Sequence, residues 1–181
     1  HIKPIFEAVS AKFNGEPCVA HLGPKSAGNY VKMVHNGIEY GLMQLTSEIY
    51  DLLKKSVGLD NDELHQVYDL WNKGRLQSFL VEITAEIFKQ DDDLGDGRLV
   101  DKILDKAKQK GTGKWTSQNA MDIQAPIPSI NAAVEMRDIS KYKEERVEAS
   151  KQLKWDDVSE TSEEELFAAL TDAFYFGMIT I

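Results

Sequence analysis

The chain has 181 residues, 42% hydrophobic and 28% charged, and this composition fits one globular domain of ordinary size. Its formal net charge of −9 excludes the basic surface that nonspecific binding to nucleic acid or to an anionic membrane requires. No apolar run approaches the ~18 residues of a membrane span, and the single Cys18 cannot form an internal disulfide, so we expect a cytoplasmic protein without nucleic-acid or membrane partners.

The first segments of the chain are short. Residues 1–13 have an amphipathic pattern that predicts a helix, which Asn14-Gly15-Glu16-Pro17 ends. The side chains expected to face inward are Ile2, Ile5, Phe6, Val9 and Phe13. A brief extended piece at residues 18–22 follows. Because the sequence begins at His1 without an initiator Met, we expect it to be a piece of a longer protein.

A long central helix is the clearest prediction for the chain. From Gly28 towards Gly58, apolar residues recur at a spacing that places them on one helical face. This core-facing stripe consists of Val31, Val34, Ile38, Leu42, Leu45, Ile49 and Leu52. Gly37 and Gly41 lie one turn apart and lower the helix propensity, so we expect another backbone or a ligand to approach closely there.

Polar side chains with acid–base chemistry lie beside that stripe. Lys32, His35, Asn36 and Glu39 share one half-buried face because their spacing is i, i+3, i+4 and i+7, and Tyr40 lies at its edge. An ammonium, an imidazole, a carboxamide and a carboxylate together can move protons and bind a polar ligand. The simpler alternative is a face of ordinary surface charges with a structural histidine.

The remaining segments are also predicted to be helical, which gives an all-α domain of several helices around the long central helix. Asp60 or Asn61 caps a helix that ends at Trp71, on which His65 is expected at the surface. The other predicted helices span 78–90, 99–109 and 129–153. A last helix is predicted to begin at Ser162, after a linker at 155–160. The apolar end of the last helix should be buried by further chain or by a partner.

Two loops and one arginine offer further binding chemistry. The acidic residues at 91–93 and 96 lack the ligand pattern of a calcium loop, so we expect no metal site. The basic, glycine-rich segment Lys110–Lys114 can donate to a phosphate, although a helix stop with mobile lysines is the simpler alternative. Arg137 is either a solvated residue or a forked phosphate ligand.

Two motifs resemble a known family. Val31–Gly41 (VKMVHNGIEYG) and Lys110–Thr116 (KGTGKWT) closely resemble the all-helical catalytic domain of 6-phosphogluconate dehydrogenase, the decarboxylating enzyme of the pentose phosphate pathway. The likeness extends from Ile2–Phe6 to Phe174–Gly177. It implies that residues 1–181 form the substrate-binding and dimerisation domain of an NADP-dependent homodimer. The family's nucleotide-binding domain and C-terminal tail have no counterpart here, so the isolated chain is expected to be inactive.

The resemblance also implies roles for the individual residues. Lys32 takes the proton from the substrate's 3-hydroxyl as hydride leaves C3, and Glu39 protonates C1 of the enediol that remains after decarboxylation. His35 and Asn36 bind the hydroxyls and the carboxylate. The residues at the phosphate end are Tyr40, Lys110, Thr112 and Arg137. The alternatives are a related β-hydroxyacid dehydrogenase, which needs no phosphate site, and a noncatalytic helical dimerisation module.

Overall fold

The computed structural model describes residues 1–153 and 162–181, so the predicted linker at 155–160 lies outside the described residues. The described part is all-α, as predicted, apart from a short antiparallel hairpin of β1 (Lys12–Phe13) and β2 (Glu16–Pro17). Its α-helices are α1 (Lys3–Val9), α2 (Ala27–Leu52), α3 (Asn61–Trp71), α4 (Phe79–Lys89), α5 (Thr112–Asp122), α6 (Pro128–Ser140), α7 (Lys143–Gln152) and α8 (Glu163–Thr180). A search of the described helices finds none that could span a membrane.

The central helix α2 is confirmed, and it continues through a π-helical turn at Leu53–Val57. It ends at Gly58, whose φ of 86° is the left-handed conformation that commonly closes a helix. The predicted apolar stripe is only partly correct, because Val31 and Leu52 are exposed while Ile49 is buried. The most deeply buried face of α2 is rotated away from the predicted stripe. Its centre carries the small residues that let other segments approach.

Close packing at Gly37 and Gly41 is confirmed, although side chains approach rather than a backbone or a ligand. A Cβ on Gly37 would lie 2.9 Å from Cγ2 of Thr116, and one on Gly41 would lie 2.7 Å from Cγ2 of Ile181. Helix α5 and the C-terminal residue therefore contact α2 at positions where no larger side chain fits.

The main hydrophobic core lies where α3, α4 and α8 pack against the C-terminal half of α2. Its buried members are Ile49, Leu53, Leu64, Tyr68, Trp71, Leu76, Val81, Ala85, Phe88, Leu170 and Phe174. A second, smaller cluster joins α2 to α6 and contains Tyr40, Ile130, Ala133 and Val134. The long helix therefore connects a structural half of the domain to the half that carries the polar cluster.

Local signals place α3 and α4 correctly. Asp60 caps α3 in a capping box with Glu63, and the Ser78 hydroxyl accepts from Val81 N–H at the start of α4. His65 is half-buried rather than on the surface, because its Nδ1 lies 2.8 Å from the carbonyl oxygen of Ala85. It joins α3 to α4.

The N-terminal prediction is wrong in part. The helix ends at Val9, and Phe13 lies in β1 instead of continuing the helix. The five side chains expected to face inward, Ile2, Ile5, Phe6, Val9 and Phe13, are all exposed. Amphipathic spacing identified a helix of seven residues, but its apolar face is not buried against any core within residues 1–153 and 162–181.

Two other helix predictions fail where side-chain hydrogen bonds hold the backbone in another shape. The predicted helix at 99–109 is only a 3₁₀ turn, Leu99–Lys102, where Asp101 accepts hydrogen bonds from Lys54 (2.9 Å) and Asn61 (2.7 Å). The predicted helix at 129–153 is interrupted between α6 and α7. There, Arg146 donates to the carbonyl of Ser140 at 3.2 Å, an oxygen that a continuous helix would use itself.

Asp105 gives this region a dependence on pH. Hydrogen bonds from Lys143 and Arg146 hold the pKa of Asp105 down to about 2, below its ordinary value of 3.8. A carboxylate with a lowered folded-state pKa stabilises the fold above its unfolded pKa, and this contribution is lost as pH falls towards about 2. We expect Asp105→Asn to be less stable than the wild type at neutral pH, with a difference that shrinks below about pH 4.

Urea midpoints measured at neutral pH and at about pH 2 test this expectation. Asp93→Asn is the control, because Asp93 is an exposed carboxylate, whereas the cations Lys143 and Arg146 contact Asp105. A difference in urea midpoint between the wild type and Asp105→Asn that stays constant over this pH range would contradict the expected pH dependence.

Candidate functional site

Three of the four polar residues predicted on α2 form a contacting cluster. Lys32 Nζ lies 3.2 Å from His35 Nδ1 and 3.8 Å from Glu39 Oε2, and His35 Nδ1 lies 3.3 Å from the same carboxylate oxygen. The helical spacing alone produces this arrangement, since the residues follow one another at successive turns. An ammonium and a carboxylate therefore both approach Nδ1 of one imidazole.

The cluster is more open than predicted. The side chains of Lys32, His35 and Glu39 are 64%, 55% and 35% exposed, so they are not half-buried as a group. Of the three, Lys32 lines an open groove at the start of α2, whereas His35 and Glu39 are not among the residues that line it.

The groove has a volume of about 410 Å³ and runs between the start of α2 and the start of α5. Its lining residues are Ser26, Asn29, Tyr30, Lys32, Met33, Asn36, Thr112 and Trp115. Lys32, Asn36 and Thr112, which are far apart in sequence, are thus brought to one site. Tyr30, Met33 and Trp115, which were not predicted as site residues, add apolar surface to the groove.

Sequence signals for these three residues were available. Met33 follows Lys32 directly, Tyr30 lies three residues before Met33 on the same helix, and Trp115 ends the glycine-rich motif. What the sequence could not indicate is that the two segments face each other.

The glycine-rich segment is shorter than predicted, because Thr112, Gly113 and Lys114 form the first turn of α5 rather than a loop. Gly111 precedes the helix with a φ of 104°, which favours glycine, and the Trp115 ring lies against it. A Cβ on Gly113 would lie 2.6 Å from the Tyr40 ring. These contacts hold a helix N-terminus, which favours bound anions, beside the groove.

Hydrogen bonds join α2 and α5 along the groove. Thr116 Oγ1 lies 3.0 Å from the carbonyl oxygen of Met33 and 2.8 Å from that of Thr112. The Tyr30 hydroxyl also donates to Asn119 Oδ1 at 2.6 Å. The two walls are therefore linked by polar contacts as well as by packing.

The structure pairs two of the four predicted phosphate-end residues, Arg137 and Tyr40, and places Thr112 and Lys110 separately. The Arg137 guanidinium stacks over the Tyr40 ring at 3.7 Å and donates to the carbonyl of Lys108 at 2.9 Å. Thr112 lines the groove and reaches this pair through its neighbour Gly113, which packs on Tyr40. Lys110 is exposed just before α5, and within residues 1–153 and 162–181 no hydrogen bond or ion pair joins it to the others.

No metal cluster is found in the described part of the chain, where no group of three or more His, Cys, Asp or Glu side chains could hold an ion. In the acidic run, Asp91 accepts from Arg98 at 2.6 Å, and Arg98 also contacts Asp62. That part of the acidic run is therefore paired within the protein.

Fold and site together define an all-helical domain with an exposed acid–base cluster at a groove suited to an anionic ligand. A family model described as the C-terminal domain of 6-phosphogluconate dehydrogenase matches residues 28–181. The NADP(+)-dependent, decarboxylating 6-phosphogluconate dehydrogenase of Bacillus subtilis is 56% identical over 98% of this chain and 38% of its own length. A chloroplastic relative from Spinacia oleracea is 56% identical over 83% of this chain and 28% of its own.

A solved structure agrees with these sequence matches. Plasmodium falciparum 6-phosphogluconate dehydrogenase, described in its apo form and in complexes with NADP+ and with its substrate 6-phosphogluconate, superposes with a TM-score of 0.88. The two are 45% identical over 96% of this chain and 38% of that one. This chain therefore belongs to the 6-phosphogluconate dehydrogenase family and corresponds to its C-terminal helical domain. It spans less than two fifths of the length of these relatives.

Proposed function

We propose that the complete protein containing this chain converts 6-phosphogluconate to ribulose 5-phosphate by oxidative decarboxylation, with reduction of NADP. The observation that carries the proposal is the contacting cluster of Lys32, His35 and Glu39, next to a groove that Asn36 and Thr112 also line. Membership of the family supports the same reaction and the same substrate.

Lys32 is proposed as the general base. Its ammonium group contacts both His35 and Glu39, so it has neighbours through which a proton can be held or passed. In its neutral form Lys32 takes the proton of the 3-hydroxyl, while NADP, when bound, accepts the hydride from C3. The resulting 3-keto acid loses carbon dioxide, because the ketone accepts the electron pair, and Lys32 returns its proton to the ketone oxygen.

Glu39 is proposed as the acid for the final step. Decarboxylation leaves an enediol, which becomes the ketose product when its C1 gains a proton and its hydroxyl loses one. A carboxyl group at position 39, in contact with His35, can deliver the first of these protons, and Lys32 can take the second. His35 and Asn36 are proposed to bind the substrate's hydroxyls and carboxylate.

Glu39→Gln provides a test of this assignment. The amide cannot supply the proton, so we expect kcat to fall roughly 10²-fold. In a single turnover, the first equivalent of NADPH should still form at a rate close to that of the wild type, and release of ribulose 5-phosphate should be slow. Glu48→Gln, on the same helix, is the control, because Glu48 contacts Gln44 instead of the cluster. If NADPH formation slowed as much as product release, Glu39 would not act after hydride transfer.

The phosphate end is proposed to lie at Tyr40, Lys110, Thr112 and Arg137. Arg137 is already oriented by the Tyr40 ring, and Thr112 stands at the N-terminus of α5, where amide groups favour an anion. A related β-hydroxyacid dehydrogenase remains the first alternative and would not need these residues. A noncatalytic dimerisation module is the second, and it would not need Lys32.

The nucleotide site is proposed to lie in a separate domain of the complete protein. Lys32 and His35 are more than half exposed, so another wall is needed to exclude water during hydride transfer. We propose that the complete protein reduces NADP with 6-phosphogluconate and that the isolated chain does not. Reduction of NADP by the isolated chain would overturn the statement that this chain is inactive alone. A complete protein that is folded but does not reduce NADP with 6-phosphogluconate would overturn the proposed activity.

The complete protein is also proposed to be a homodimer and cytoplasmic. Phe176 and Ile179 on α8 are exposed apolar side chains that a second subunit could cover. Sedimentation of the complete protein as a monomer would contradict the dimer. The proposed cytoplasmic location rests on the composition of the chain. A spinach relative is named as chloroplastic, so cell fractionation is the test that distinguishes the two locations.

A further inference from the structure

We propose that Thr116 and Gly37 form a positioning pair, which sets the spacing between the two walls of the groove and thereby the fit of a ligand that bridges them. One wall is α2, with Lys32 and Asn36, and the other is α5, which begins at Thr112. This inference rests on the proposed function, because it concerns how the same groove recognises both ends of a phosphorylated sugar acid.

The contact between the walls is short and specific. Thr116 is only 4% exposed, and its hydroxyl lies within hydrogen-bonding distance of one carbonyl on each helix, Met33 and Thr112. A hydroxyl carries one proton, so this proton is shared between the two acceptors and links the two backbones. The methyl group of the same side chain lies against the surface of α2 at Gly37.

Gly37 is what allows α5 to come this close. A Cβ at position 37 would lie 2.9 Å from Cγ2 and 3.0 Å from Oγ1 of Thr116, and both distances are shorter than ordinary packing permits. Any larger residue at this position would push the helices apart unless Thr116 became smaller. At this point the separation of the walls is therefore set by the contact of the Thr116 side chain with Gly37.

The position of the pair gives it control over the groove. Gly37 directly follows Asn36, and Thr116 directly follows Trp115, so the contact adjoins groove-lining residues on both helices. A ligand held by Lys32 and Asn36 at one end and by Thr112 at the other must match the spacing fixed there. A misplacement of about 1 Å can cost on the order of 10²-fold in rate.

Two substitutions of similar shape separate positioning from simple stability. In the complete protein, Thr116→Val keeps the volume but removes the shared proton, while both carbonyls still accept from N–H groups of their own helices. Thr116→Ser keeps the hydroxyl. The readout is the ratio of the dissociation constants for gluconate and 6-phosphogluconate, measured by calorimetry, because only the second ligand reaches the phosphate end.

We expect Thr116→Val to lower this ratio about tenfold, by weakening 6-phosphogluconate alone, and Thr116→Ser to stay within about twofold of the wild type. Gly37→Ala should lower the ratio at least as much. Combining Gly37→Ala with Thr116→Ser should recover part of the loss, since serine lacks the methyl group that lies nearest the new Cβ. Recovery by a second substitution across the interface would show that the two positions act through their mutual contact.

The outcomes distinguish this inference from the proposed function. Weaker binding of both ligands by the same factor, or a lower melting temperature with an unchanged ratio, would overturn the positioning role while leaving the proposed function intact. A folded wild type that binds neither ligand would overturn the proposed function and this inference with it.

Discussion

Replacing Lys32 with methionine in the complete protein is expected to lower kcat for 6-phosphogluconate oxidation by roughly 10²- to 10⁴-fold, the range that one proton-transferring group contributes. Methionine has a similar length but no basic nitrogen, so the 3-hydroxyl would lose its proton acceptor. Lys32 is 64% exposed and its polar contacts are with His35 and Glu39, so its removal should leave the fold unchanged.

Steady-state kinetics and thermal melting of the same preparations provide the measurement. Lys55→Met is the matched control, because Lys55 follows the same helix and, among the residues that the structure describes, pairs only with the exposed Asp51. A Lys32→Met protein with a kcat within about twofold of the wild type would refute the general-base role. It would favour the noncatalytic alternative for this domain.

Replacing Arg137 with alanine is expected to raise KM for 6-phosphogluconate by about 10- to 100-fold, with a smaller change in kcat. Hydrogen bonds between charged partners contribute about 1.5–3 kcal/mol, and each 1.4 kcal/mol is a factor of ten in affinity. The Tyr40 ring already orients the guanidinium, so little side-chain entropy should be lost when a phosphate binds. Arg137→Lys should recover only part of the affinity, because lysine lacks the forked donor geometry.

Arg75→Ala is the matched control for this experiment. Arg75 also stacks on a tyrosine, with its guanidinium 4.5 Å from the Tyr175 ring centre, but it pairs with Asp172 and lies outside the groove. It should reproduce the structural cost of losing a stacked arginine without the change in KM. If Arg137→Ala weakened binding of gluconate and 6-phosphogluconate equally, a phosphate site at this position would be contradicted. A dehydrogenase for another β-hydroxyacid would then be the better interpretation.

The parts of the fold that sequence predicts well are those governed by local interactions. The limits of α3 and α4 follow from caps at Asp60 and Ser78, and each cap is a contact between residues three positions apart. The segment at 99–109 fails for the opposite reason. Its helical pattern competes with hydrogen bonds from Lys54 and Asn61, which lie some forty residues earlier and are not visible in the local sequence.

The candidate site likewise has some contacts that local sequence predicts and others that depend on the packing of distant helices. The contacts among Lys32, His35 and Glu39 follow from helical spacing, so the sequence was sufficient to place them together. The stacking of Arg137 on Tyr40 depends on α6 packing against α2, and nothing in the spacing of either residue predicts it. The exposure of the cluster was also missed, because periodicity reports which face of a helix is polar but not what lies opposite that face.

By itself, the sequence determined that this protein is all-helical, that a long helix carries an acid–base cluster, and that its motifs resemble one enzyme family. Helical periodicity and capping act within a few residues, so these features are encoded locally. The tertiary structure alone decided that Thr112 and Trp115 face Lys32 across a groove. It also decided that Thr116 packs on Gly37 so closely that a Cβ added to Gly37 would lie 2.9 Å from the Thr116 side chain. Such contacts join positions about eighty residues apart, and only the packing of the whole chain brings them together.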